Sequence, residues 1–186
     1  MIVLNSKRIS MKKKCTLLLA LIVMLLPLTQ AYSQNLSTVI KIQAMDMARA
    51  ILAKDVDKLV AYMPPKLVAD AGGKDKLLIA RDTLNKYMKQ FGAEIKRVTI
   101  GDPGKIITYK KQLQATLPQT TEVKFMASKV ILETTLIAIS EDNGLHWYFV
   151  DTSIYRGDKL KSSLPDLSPE LVIPPMKQPK IIADEQ

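Results

Sequence analysis

Cysteine and histidine are almost missing from this sequence: Cys15 and His146 are the only ones in 186 residues, and aromatic residues make up 5%. Cys15 directly follows the lysines at 12–14 and precedes an apolar stretch, whereas a lipid-anchored cysteine would follow such a stretch. Beyond Cys15 the chain has no means of disulfide stapling, thiol nucleophilic catalysis, or cysteine-ligated zinc or iron–sulfur binding. One histidine cannot make a histidine-rich metal site. Ser-His-Asp hydrolysis would have to recruit His146 with a separate serine and carboxylate, and no nucleophile-elbow pattern is present. Gly72-Gly73-Lys74 lacks the spacing of a phosphate loop and reads as helix punctuation. Neither a metal nor a cofactor is expected.

Excess charge of one sign is also scarcer than the totals suggest. The chain has 27 Lys and Arg against 18 Asp and Glu, a formal net charge of +9. Five of the cations, Lys7, Arg8, Lys12, Lys13 and Lys14, precede the apolar stretch, and setting them aside leaves 22 against 18, or about +4. That balance does not support nucleic-acid or anionic-membrane binding. Lys96, Arg97, Lys105, Lys110, Lys111, Lys124 and Lys129 fall in β-rich sequence without interleaved aromatic platforms, which reads as a solvated sheet edge.

Long hydrophobic runs are missing too. The longest, Thr16 to Leu28, has about 13 residues, short of the roughly 20 that a membrane-spanning helix needs. Preceded by Lys12 to Lys14 and followed by Ala31-Tyr32-Ser33, it has the layout of a secretory signal peptide, with cleavage expected after Ser33 and Met11 as a candidate initiator beside Met1. The expected location is the periplasm or outside the cell. The segments are then 1–33 as signal peptide, 34–160 as one α+β domain and 161–186 as a C-terminal tail. Residues 164–186 carry five of the ten prolines, which suits an extended strap that packs along the body or stays mobile. With 47% hydrophobic residues and about 153 residues after cleavage, the chain can bury roughly two-thirds of its unfolded surface without staples.

What is present is helical spacing followed by β-rich sequence. Ile40, Ala44, Met47, Ala48, Ile51 and Leu52 predict a helix over about 37–53 with Ser37 as N-cap. Asp55 caps a short helix through Tyr62, Pro64-Pro65 stops it, and 66–71 offers one further turn before Gly72-Gly73. A third helix is expected over about 75–91, with Gly92 as its left-handed terminator. From Ala93 onward, strands are expected at 94–100, 105–117, 121–139 and 145–152. The turns between them fall at Gly101-Asp102-Pro103-Gly104, Pro118-Gln119-Thr120 and Asp142-Asn143-Gly144, with a bulge or a break around Ala127-Ser128. The class is α+β: three N-terminal helices packed on a curved antiparallel sheet of about four strands, since no helix separates the strands to carry parallel crossovers.

The short helix Asp55-Val56-Asp57-Lys58-Leu59-Val60-Ala61-Tyr62 and the closing stretch Ser140-Glu141-Asp142-Asn143-Gly144-Leu145-His146-Trp147-Tyr148-Phe149-Val150-Asp151 resemble the nuclear transport factor 2-like superfamily. The resemblance covers about residues 36–155. It implies a cone of helices wrapped by a curved antiparallel sheet, also called cystatin-like. The small hairpin usual between the second and third helices of that fold is replaced here by Pro64 to Gly73. The superfamily includes isomerases, dehydratases, polyketide cyclases and non-catalytic binding domains, so the fold alone selects no activity.

Tyr109, Phe125, Trp147 and Phe149 are candidate lining residues for an apolar ligand, against the plainer reading of core packing. Glu133, Asp151 and His146 are the candidate acid/base residues. For each a bland role is expected: a solvent-facing carboxylate, a strand-ending carboxylate and a strand-end imidazole. The sequence thus points to an exported binding or interaction module, its ligand a small apolar molecule or a protein. The alternative is a small lyase or isomerase with Glu133 or Asp151 as general base. A homodimer through a sheet face is a further possibility.

Overall fold

Helix formation follows the apolar spacing in the computed structural model, which describes residues 35–183. The leader, Cys15, the cleavage site after Ser33 and the acidic end at 184–186 lie outside the described residues. Helix α1 covers 35–53, so Ser37 sits inside the helix instead of capping it: Asn35 and Leu36 include no breaker. Helix α2 (Val56–Ala61) is capped by Asp55, whose carboxylate accepts the Lys58 N–H at 3.0 Å. Pro64-Pro65 ends that segment and starts α3 (Pro65–Asp70), because proline at a first helical position removes only an N–H that has no partner there. Gly72 and Gly73, at φ 87° and 93°, reverse the chain into α4 (Lys74–Gln90).

Six strands among the described residues form one curled antiparallel sheet, a half-barrel. Its spine is a long hairpin of β3 (Gln112–Phe125) and β4 (Ser128–Ser140). On the outer side of β3 lie β1 (Ala93–Ile100) and β2 (Ile107–Tyr109). On the outer side of β4 lie β5 (Tyr148–Asp151) and β6 (Lys180–Ala183). A fifth helix, α5 (Gly157–Ser163), follows β5.

Three places bear on the turns expected from the sequence. The segment expected as one strand over 105–117 reverses at Lys110-Lys111, both at positive φ, 44° and 65°, joining paired Tyr109 and Gln112. That backbone suits asparagine and glycine, so two lysines announce nothing. In the long stretch 121–139 the expected bulge or break is a full turn, at Met126 with φ 53° and Ala127. Conversely, Pro118 starts no turn but sits in mid-β3 opposite Thr135. Its carbonyl accepts the Gly101 N–H at 2.8 Å. Its nitrogen therefore faces the gap between β1 and β2, where no ladder donor is required. A Cβ on Gly101 would lie 3.1 Å from the Pro118 ring, which is why the close approach takes glycine.

Alternation along β4 divides its residues between two cores. Leu136 and Ala138 pack with Ala115, Leu117, Trp147 and Phe149 against Ile40, Ala44, Met47 and Ala48 of α1. Ile137 and Ile139 pack on the other face with Val150, Leu67 of α3, Leu160 of α5, Leu164 and Leu171. The proline-rich segment is thus docked over 164–173. Gln114, fully buried, donates to the Asp166 carbonyl and accepts the Ser168 N–H, both within 2.8 Å. Lys177 and Lys180 clasp Glu133 where β6 begins.

Candidate functional site

Helix α4 carries Leu77, Ala80, Arg81, Leu84 and Met88 on one stripe, at the three- and four-residue spacing that faces a neighbouring surface. None of its 17 residues is buried. The helix stands off the sheet, and the space beneath it is a chamber of about 330 Å³. Its roof is Leu77, Ala80, Arg81 and Leu84 of α4 with Val56, Leu59 and Val60 of α2. Its floor is Met47 and Ile51 of α1, Leu136 of β4 and Phe149 of β5. This size and an apolar wall with few polar groups are what small-molecule sites have in common.

The polar groups on the wall are Arg81, Gln119, Asp151 and the Tyr155 phenol. Gln119 alternates with Ala115 and Leu117 along β3, so its amide faces α1 and the chamber. Its Nε2 donates to Asp151 Oδ2 at 3.0 Å and to Thr134 Oγ1 at 3.3 Å. Its Oε1 is buried and has no hydrogen-bond partner. Such an orphan acceptor is destabilising by about 1–3 kcal/mol unless something else satisfies it. The other oxygen of Asp151, Oδ1, accepts the Ser153 N–H at 2.7 Å. Arg81 is half-buried, and burial pushes its guanidinium down from its ordinary value. No carboxylate pairs with Arg81 among the described residues.

Asp46 anchors a second cluster beside the chamber. Its carboxylate accepts from Lys58, Arg49 and the Tyr62 hydroxyl, the last at 2.7 Å, and these donors hold it well below the usual carboxylate range. Burial, with the same carboxylate beside it, pushes the Tyr62 phenol up to about 12. His146 stacks on Tyr62 with ring centres 5.8 Å apart and meets Tyr148 edge-on at 4.7 Å. Its Nε2 lies 3.2 Å from the Ala61 carbonyl. The imidazole ties the β4–β5 loop to the end of α2 and does not line the chamber.

Of the residues singled out from sequence, Phe149 and Asp151 line the chamber. Trp147 is 0% exposed within the α1 core, its Nε1 donating to the Gly144 carbonyl at 3.1 Å. Tyr109 lies on β2, and Phe125 is exposed at the β3–β4 tip. Glu133 lies on the outer side of β4, where Lys177 and Lys180 bring its carboxyl down to about 2. Sequence reading missed Arg81 and Gln119. The available signal was position: Arg81 lies in the apolar stripe of its helix, four residues after Leu77 and three before Leu84. Among the described residues no group of three potential ligands could hold a metal ion, and no helix is long and apolar enough to cross a membrane. Comparison with protein-family models, curated proteins and solved structures finds no match to this chain.

Proposed function

We propose that this chain is an exported binding module that takes a small apolar ligand into the chamber between α4 and the sheet. The observation that carries the reading is the chamber itself: about 330 Å³ walled by aliphatic side chains under a helix with no buried residue. Well-packed interiors leave few apolar spaces of this size, and clefts so lined are where small molecules bind. The signal-like leader supports export, and the curled antiparallel sheet supports a cone of the nuclear transport factor 2-like kind. Titration with the neutral dye N-phenyl-1-naphthylamine tests the reading. A saturable fluorescence rise is expected that the Ala80→Trp variant, with a ring on the chamber roof, lacks; no rise, or an equal rise in the variant, would refute it.

Asp151 favours a second reading, a lyase or isomerase. It is a carboxylate on an apolar wall, oriented by Gln119 and Ser153, with Tyr155 on the same wall as a possible donor. A general base so placed would wash deuterium into an enolisable apolar ketone such as 2-decanone, and Asp151→Asn would not. Exchange no faster than buffer removes this reading and leaves the binding module standing.

A further inference from the structure

Arg81 faces two spaces. It lines the apolar chamber and also a second cavity of about 390 Å³, whose wall includes Lys54, Asn85, Lys89 and Glu94. Glu94 is already engaged by Lys96, leaving the second cavity with cations in excess. The guanidinium therefore stands at the junction of an apolar room and a basic vestibule. It has no carboxylate of the described chain to neutralise it, although burial weakens its hydration. Asp151 faces the apolar chamber but not the vestibule, and both its oxygens already accept hydrogen bonds. A ligand's anionic end is thus repelled from the Asp151 side and attracted to the Arg81 side.

We propose that the ligand is an aliphatic monocarboxylate of medium chain length, its tail in the chamber and its carboxylate held by Arg81 at the vestibule. The inference rests on the binding reading above and adds the chemical class of the ligand and its direction. Three physical points support it. A half-buried cation with no counter-charge is unfavourable until an anion arrives. A guanidinium offers the planar fork that a carboxylate accepts in two parallel hydrogen bonds, which an ammonium cannot do. And α4 has an outer face free for solubilising charge, so a cation on the inner stripe serves the interior.

The test is calorimetric titration of the full chain with decanoate and with decanol, in the wild type and in Arg81→Met and Arg81→Lys. The expected result is that decanoate binds the wild type more tightly than decanol. Arg81→Met should lose about tenfold or more in decanoate affinity while keeping decanol, the size of a charge-assisted pair. Arg81→Lys should recover only part of the loss. Decanoate binding that is indifferent to Arg81→Met, with decanol bound equally well, overturns the carboxylate inference and leaves the chamber reading intact. Binding of neither compound to the wild type overturns both, and decanol retained by Arg81→Met shows that the variant is folded.

Discussion

Helices α1 and α4 are of similar length and both carry an apolar stripe, yet they are used in opposite ways. The stripe of α1 ends in the sheet: Ile40 and Ala44 are fully buried and Met47 and Ala48 nearly so, packed on Leu117, Leu136 and Trp147. The stripe of α4 faces the chamber, with Leu84 45% exposed and Arg81 set among its leucines. Small residues at 44 and 48 let α1 approach the sheet closely, whereas the arginine of α4 would have to be desolvated for the gap to close. The lesson is that an amphipathic pattern defines which face turns inward but not whether that face meets a partner. One helix closes a core and the other roofs a site.

The largest effect should come from breaking the packed side of this contrast. Ile40→Ala should remove about 2–5 kcal/mol of stability in urea unfolding, the usual range for a fully buried aliphatic side chain, while Leu84→Ala should remove less than about 1 kcal/mol. Comparable losses would mean that α4 is a core helix after all. Next, Asp46 binds α1 to α2 through Lys58 and Tyr62. Its folded pKa is depressed, so its contribution is present above the unfolded value near 3.8 and drains away as pH falls below it. Asp46→Asn should lower stability at pH 7 by about 1 kcal/mol and flatten the acid limb below about pH 4. A variant whose acid limb matches the wild type would contradict this.

Arg81→Met should leave the ligand-free protein equally stable or slightly more so, because it replaces an unpaired, partly buried cation with a side chain that suits the chamber wall. A clear loss of stability would show that the guanidinium has a structural partner. The smallest effect is expected at Glu133, a surface carboxylate clasped by Lys177 and Lys180. Glu133→Gln should leave the unfolding midpoint nearly unchanged but quicken proteolysis near β6. In the wild type the clasp should weaken as pH falls from about 4.5 through about 2, the span between the ordinary and folded values.

The α+β order was legible because spacing changes from helical to β-rich at Ala93, where β1 begins, and Asn143-Gly144 takes the positive φ that its residues announce. The strand count was not. Lys110-Lys111 and Met126-Ala127 turn the chain without turn residues, since the hydrophobic gain of the long β3–β4 hairpin outweighs local backbone preference. Pro118 looked like a breaker because sequence does not reveal that its nitrogen faces a gap in the ladder. For the site, the aromatic strand pointed to Phe149 and the carboxylate after it. Trp147, on the same segment, is committed to the core, and alternation alone cannot distinguish a core wall from a cavity wall. Arg81 was hidden among six other charged residues of α4, and only its place on the stripe separates it from them.

Hydrogen exchange on the ligand-free protein tests the central contrast most directly, because it reads the seating of each helix residue by residue. The account predicts that amides of α4 between Leu77 and Met88 exchange through local opening, far faster than those of α1 between Ala44 and Ile51, which should open only with the whole sheet. Equal, globally limited protection of the two helices would contradict a roof that stands off an open chamber.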